Sequence, residues 1–576
     1  MLKVAFIKSF LASVACGQWL KTSSEYWPRS LCTASPKPFN GTAQRKLHGL
    51  KLLAELLMRV SEPEGAFSPS SVAVRFSSGA VVCAFALVMA DSSSKQTKLA
   101  WTMPASDHHA MSLGKSLSSK VPDSPTARLI SVLTHLKEIA SKAGYKSTDM
   151  VLANIGDISG VPELPIMKEA RCSAAQAFND SINSNGYPPY PGITQLREAV
   201  AKDLMSRLGF ADQSQEDLIK AGVLLSYQDL SELVSLGAGS VGCSGSICSH
   251  VKYHRMRRRE MLKGMEQHVT LKPVTIAIDR THYWKHQGVG EDFGKIEIYD
   301  FMVFREGSLH LDAKEAQRLG RDGGGIMVLN FANPLCFLPS AEEAHQFALE
   351  VAEWNNANPS QEITVCVDGP YDDFDGPEGY RFVSMLLKAG VTTSYIHART
   401  KEEFATGSRG GEVLCNNPAV RQLFNAYKAD YIGADSMLEQ EIALRLHHSP
   451  VRDEQKAMRN KIISERKEYF WSQLDEHPEL AAIRKDTAPF YRPNGPFYVF
   501  LNLQSLIPGT YADSLEACKA MAKLGVILIP GTLFDVDPDA AEGMNRVGVR
   551  VAFGSFDSIS WQDQIKMLVN ALTKLV

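Results

Sequence analysis

The chain has 576 residues, 44% hydrophobic and 22% charged, with a formal net charge of -3 and a pI near 6.6. That size and balance permit a large buried core and exclude a chain whose partners are selected by bulk charge, such as nucleic acid or an anionic membrane surface. The ten cysteines, at positions 16, 32, 83, 172, 243, 248, 336, 366, 415 and 518, form no C-x-x-C pair and no regular frame, which argues for reduced thiols and against a disulfide scaffold or a metal site.

Residues 1–105 differ from the rest. Up to residue 60 there are nine Lys or Arg against only Glu25 and Glu55, with frequent Ser and Thr. This basic, acid-poor composition is that of a targeting segment, which would send the protein to a mitochondrion or plastid; the alternative is an untargeted, disordered terminus on a cytoplasmic protein. "GAVVCAFALVMA" (79–90) is twelve apolar residues, short of the roughly 18 to 20 that span a bilayer, so no stable membrane span is expected.

From about residue 125 the pattern is globular. "SLGAGSVGCSGSICSHV" (235–251) is a Gly- and Ser-rich entry to a helix, whose free N–H groups suit a phosphate, with Gly239 and Ser240 as the expected contacts. The basic run "YHRMRRREMLKG" (253–264) continues that helix and reads as a solvated face, not a nucleic-acid site. "GGGIMVLNFANP" (323–334) is an apolar strand ending near Asn333, and Ser340 with Glu343 is a capping-box signature for the next helix. "ITVCVD" (363–368) is a buried strand leading to a loop with Tyr371. "EGYRFVSMLLKAG" (378–390) reads as a helix closed by Gly390, and "VTTSYIHA" (391–398) as a strand ending just before Lys401. Strands alternating with helices imply an α/β fold on a mainly parallel sheet.

Parallel strands carry ligand-binding residues beyond their carboxyl ends. Asn333, Asp368, Tyr371 and Lys401 lie at or after three successive ends, so one site would gather an amide, a carboxylate, a phenol and an amine. Singly, each has a plain reading: Asn333 and Asp368 as turn formers, Lys401 beside Glu402 and Glu403 as a solvated helix start. Together they suit pyridoxal 5'-phosphate, which needs an amine for its Schiff base, a carboxylate for its pyridine nitrogen, donors to its phenolic oxygen and a phosphate cradle. Lys401 and Asp368 would supply the first two, and Asn333 and Tyr371 the third. Arg409 would meet the phosphate with its planar fork, with Gly407, Gly410 and Gly411 letting the backbone approach.

The chain resembles the class I/II aminotransferases of the fold type I pyridoxal phosphate enzymes over residues 145–576. The resemblance is carried by "NIGDISGVPELP" (154–165), "NGYPPYPGITQLREAVAKDL" (185–204), "NPLCFLPS" (333–340), "VDGPYDDF" (367–374), "TKEEFATGSRGG" (400–411), "GVILIPGTLF" (525–534) and "VGVRVAFG" (547–554). It implies that Arg550 grips the substrate carboxylate, whose plain reading is an exposed strand-end arginine, and that Gly156 contributes a backbone contact nearby. Tyr187 would reach the neighbouring subunit's cofactor phosphate, so a homodimer with shared sites is expected. The ring-stacking aromatic falls in "DRTHYWKH" (279–286), with Tyr283 favoured over His282. Two departures mark a divergent branch: Ala398 stands where a phosphate-binding serine is usual, so that contact is lost or passes to Thr400, and "NPLC" alters the NPTG turn.

These roles imply a transaminase of amino acid metabolism, taking an amino acid and a 2-oxo acid, with Lys401 as general base and then acid. A lyase or an eliminating enzyme resembling ACC synthase would share every cofactor residue. A transcription regulator carrying such a module is disfavoured, because residues 1–105 lack two amphipathic helices around a short turn. The expected architecture is an N-terminal extension (1–105), a large cofactor domain (190–435), and a small domain built from both chain ends (106–189 and 436–576).

Overall fold

A computed structural model describes residues 124–154, 165–180, 187–220, 230–237, 240–263, 272–403, 410–557 and 559–576. The basic N-terminal stretch, with its targeting reading, and the apolar run at 79–90 lie outside these residues.

Seven strands form the central sheet: β1 (Val234–Leu236), β2 (Thr275–Asp279), β3 (Lys295–Tyr299), β4 (Gly325–Leu329), β5 (Ile363–Asp368), β6 (Thr393–His397) and β7 (Glu412–Cys415). Their spatial order is β1-β7-β6-β5-β4-β2-β3. The β2–β3, β2–β4, β4–β5 and β5–β6 pairs are parallel, and β7 runs antiparallel to both its neighbours. Every residue of β2, β4, β5 and β6 is buried, because both faces of the sheet are covered by helices; β4 is apolar throughout, while β5 and β6 also bury Thr364 and Ser394, whose hydroxyls meet His250. The edge strand β3 is only half covered and carries Lys295 and Glu297.

The covering helices used below are α1 (Ser240–Met261), α2 (Trp284–Phe293), α3 (Ala341–Ala357), α4 (Arg381–Lys388), α5 (Pro418–Tyr431) and α6 (Arg452–Asp475). At the start of α3 the Ser340 hydroxyl accepts from the Glu343 N–H and the Glu343 carboxylate accepts from the Ser340 N–H, the reciprocal pair that the sequence predicts. The helix α4 ends as expected, with Gly390 at φ 72 in the left-handed region. The basic run on α1 is mostly exposed, although His254 is buried and Arg257 pairs with Glu362.

Two strand ends differ from expectation. The strand β4 stops at Leu329, before Asn333, because the Asn330 side chain accepts from the Asn333 N–H at 2.9 Å and Pro334 lacks a donor to continue a ladder. The strand β6 stops at His397, and Lys401 stands on a single helical turn, Arg399–Glu402. Both residues therefore sit on short connections that project beyond the sheet.

A second core joins the ends of the described chain. It contains Leu136, Ala140 and Val151 from one end, and Phe470, Val499, Ile527, Val551 and Leu568 from the other. Val151–Leu152 pairs in parallel with Val526–Ile527. Nearby, Gly548–Ala552 is the middle strand of a three-stranded antiparallel sheet, with Arg550 opposite Phe500 and Ile529. Among the described residues no helix is long and apolar enough to cross a membrane, and no disulfide joins two cysteines.

Candidate active site

The site lies where β4, β5 and β6 end and the sheet holding Arg550 meets them. At the end of β5, the Asp368 carboxylate accepts from His286 Nε2 at 3.0 Å and from Asn330 Nδ2 at 3.2 Å. Asn330 also holds Asn333, whose Oδ1 accepts from an Arg550 Nη at 2.6 Å. The second Arg550 Nη donates to the Asn154 carbonyl at 2.9 Å, and the guanidinium lies over the Tyr498 ring, 4.3 Å from its centre. The Tyr498 hydroxyl meets that of Tyr371 at 2.8 Å. Tyr371 packs edge-on against Phe497 at 5.4 Å, and the Lys401 ammonium stands 5.9 Å from the Phe497 ring centre. On the far side of Asp368, His286 meets the Tyr283 ring edge-on at 5.5 Å.

One continuous path of contacts thus brings together Lys401, Tyr371, Arg550, Asn333, Asp368 and Tyr283. Arg550 is 2% exposed and central in its strand, so its plain reading as an exposed strand-end residue is wrong. Trp284 and Phe534 complete its aromatic surround, at 5.8 and 5.5 Å. Its Nε, and Asn154 Oδ1 beside it, are buried without a hydrogen-bond partner among the described residues. A buried donor left open beside a cation is what an incoming carboxylate satisfies.

Burial shifts several groups. It pushes the Tyr371 hydroxyl well above the ordinary phenol value, with Tyr498 adding to the effect, so Tyr371 is a protonated donor. Burial, then the Asp368 charge, raises Tyr283 likewise. His282 is pushed down to about 4, first by burial and then by His286, and its backbone N–H donates to Phe534 at 3.2 Å, while Tyr283 is the neighbour that faces His286. Cys243, His286 and Asp368 offer ligand atoms within 4.8 Å of one another, but the His286 to Asp368 distance of 3.0 Å is already that of a hydrogen bond.

Other sequence-predicted residues are placed as follows. Ser240 opens α1 just after β1, and Gly237, between them, donates to the Gly411 carbonyl at 2.9 Å. A Cβ on Gly410 would come within 2.9 Å of the Arg399 guanidinium, so that glycine makes room for Arg399. Cys336, the last residue of the "NPLC" turn, has φ 55. Tyr187 is 98% exposed. Gly156, Gly239, Gly407 and Arg409 lie outside the described residues, as do the side chains of Ser240 and Thr400.

Sequence reasoning missed His286, Asn330, Phe497 and Tyr498. His286 follows Tyr283 by one helical turn of α2, and Asn330 precedes Asn333 by three residues, so both lay within segments already under suspicion. Tyr498 and Phe497 carry no local signal, because they arrive from a distant strand. The plain reading of Lys401 as part of a solvated helix start does not fit its neighbours: the Glu402 and Glu403 carboxylates are both buried in ion pairs.

No protein-family model matches the chain, and no curated protein matches it either. Solved structures do. An aspartate aminotransferase of Thermus thermophilus is 16% identical, covering 78% of this chain and 96% of its own, with a TM-score of 0.55. An N-succinyldiaminopimelate aminotransferase of Mycobacterium tuberculosis is 18% identical, covering 77% and 97%, with a TM-score of 0.54. An aspartate aminotransferase of Thermotoga maritima is 16% identical, covering 79% and 98%, with a TM-score of 0.55. At these identities the likeness is one of fold, and nearly the whole length of each neighbour is matched. This chain has the fold of the class I/II aminotransferases.

Proposed function

We propose that the protein is a pyridoxal 5'-phosphate-dependent aminotransferase that moves an amino group from an amino acid to a 2-oxo acid, with Lys401 as the cofactor-bonding residue. The observation that carries this reading is the unbroken contact path from Lys401 through Tyr371, Arg550, Asn333 and Asp368 to Tyr283. The donor set fits the cofactor: an amine, a buried carboxylate braced by two donors, a protonated phenol, and an arginine with an open Nε.

When bound, the cofactor supplies an electron sink that acidifies the substrate Cα–H. Lys401 would hold it covalently and, once the substrate amine has displaced the Lys401 amine from that bond, the freed amine would take the Cα proton and return it, as base and acid in turn. Asp368, oriented by His286 and Asn330, would pair with the pyridine nitrogen and keep it protonated. Tyr371 and Asn333 would bind the phenolic oxygen, and Tyr283 would cover the ring. Gly239, Ser240 and Arg409 would cradle the phosphate. Arg550 receives the substrate carboxylate with Gly156 nearby, and its aromatic surround excludes water, which strengthens the pairing. The exposure of Tyr187 suits a side chain that completes a second subunit's site in a homodimer. We also propose the division into a large domain (190–435) and a small domain (106–189 with 436–576); the second core, drawn from both ends of the described chain, supports it.

The test uses the full-length protein incubated with pyridoxal 5'-phosphate. Near-visible absorbance should appear, borohydride should fix the label on Lys401 by peptide mass mapping, and amino acids should yield 2-oxo acids beyond one equivalent per site only when an acceptor 2-oxo acid is present. Lys401→Ala should abolish turnover. Full activity in that variant would overturn the lysine assignment, and ammonia release without amination of the acceptor would replace transamination by elimination.

A further inference from the structure

Lys401 stands between two clusters of buried charge. On its C-terminal side Glu402 and Glu403 are 1% and 0% exposed. One Glu402 carboxylate oxygen pairs with Lys456 and lies 3.3 Å from both Arg207 and Arg452. The other lies 3.0 Å from His397 Nε2, and the Glu402 carbonyl accepts from Arg459. Glu403 accepts from Arg452 Nε at 2.6 Å. On the N-terminal side, His397 Nδ1 is 2.7 Å from Glu412, which also pairs with Arg399.

Arg452, Lys456 and Arg459 project from one side of α6, spaced four and three residues apart. They are shared with Asp203 and Asp373: Arg452 reaches Asp203 at 2.8 Å, Arg459 reaches Asp373 at 2.8 Å, and Lys456 reaches Asp373 at 3.3 Å. Arg207 pairs with both aspartates. Asp203, Asp373, Glu402 and Glu403 thus face Arg207, Arg452, Lys456 and Arg459, four acids against four bases, with the His447 ring 3.7 Å from Asp203 and 3.1 Å from Arg452.

A buried ion network is a poor source of net stability, because desolvation offsets the attraction; what it fixes is geometry. Lysine is a long, flexible side chain, and an amine that must form a bond and move a proton needs its backbone held. A turn of four residues cannot hold itself.

We propose that Glu402 is a positioning residue for Lys401. Its carboxylate and carbonyl lock the turn Arg399–Glu402 onto α6, so the preceding amine keeps one placement relative to Asp368 and Tyr371. The proposal rests on Lys401 being the cofactor lysine, and the experiment separates the two.

Full-length wild type, Glu402→Gln and the double variant Glu402→Gln/Lys456→Met are loaded with pyridoxal 5'-phosphate. Borohydride labelling of wild-type Lys401 comes first; without it the lysine reading falls, and this proposal with it. With the label in place, Glu402→Gln should move the pH midpoint of the bound-cofactor absorbance by about one unit or more, and lower kcat roughly tenfold to a hundredfold with KM within about threefold. The double variant removes the cation that Glu402→Gln strands. It should regain thermal stability while the absorbance midpoint and kcat stay displaced. An unchanged midpoint and kcat in Glu402→Gln, or their full return in the double variant, would overturn positioning and leave charge balance alone.

Discussion

Cys336 shows how a departure in a motif is tolerated. Its φ of 55 is in the left-handed region, where a side chain costs about 1–2 kcal/mol, and its thiol donates to the Tyr498 carbonyl at 3.3 Å. Glycine suits that backbone and a β-branched residue does not. Cys336→Gly should therefore stay within about 1 kcal/mol of wild type in urea unfolding, while Cys336→Val should lose about 2 kcal/mol or more. Equal losses would show that packing, not backbone conformation, governs the position. The residues legible in the sequence were those whose chemical type is unusual at a strand end: Asn333, Asp368, Tyr371 and Lys401. The burial of Glu402 and Glu403 was not legible because their partners Arg207 and Arg452 are far away in the chain, and a carboxylate pair beside a lysine looks solvated until those partners are in place.

At the scale of elements, local rules did well where one segment decides its own conformation. The strand β5, the capping box of α3 and the Gly390 terminator are all set by residues within a few positions of one another. The end of β4 was placed too late because the Asn330 side chain stops that strand, which apolar patterning does not register; β6 ends at His397, one residue before the expected Ala398. The α3 cap gives a direct test. Ser340→Ala removes the acceptor for the Glu343 N–H while the Ser340 backbone N–H still donates to the Glu343 carboxylate, so stability should fall by about 1 kcal/mol, within the usual 0.5–2. Urea unfolding with no change in midpoint would mean that packing against the sheet holds the helix start unaided.

For the whole molecule, the buried network sets the response to acid. Burial would raise the Glu412 carboxyl, but Arg399 and His397 outweigh it and hold the group down at about 2 against an ordinary 4.5. Asp203 and Asp373 are held below the usual aspartate range in the same way, by Arg452 and Arg207 and by Lys456 and Arg459. Folded values below unfolded ones mean that this stabilisation is complete above about pH 4.5 and is lost as the pH falls toward 2. The urea midpoint should therefore drop steeply between about pH 4.5 and 3, and less steeply in Glu412→Gln. A midpoint flat across that range would show that the carboxylates are not held as charged groups. The mainly parallel sheet was legible because its buried strands are rich in apolar and β-branched residues and alternate with helices; the second core was harder to see, since its halves lie at opposite ends of the described chain.

That arrangement has a consequence for synthesis. Val151 pairs with Val526, so 375 further residues (526 minus 151), Val526 included, must be made before the pair can form. At about 5–20 residues per second the earlier strand waits roughly 20–75 seconds on the ribosome for its partner. During that interval Leu136, Ala140 and Val151, all buried in the finished protein, have no partners from the second half of their core. The nascent chain therefore carries an unfinished apolar surface while the partner strands are still to be made, and shielding it until the last strands emerge is a requirement of its birth that the folded protein no longer shows.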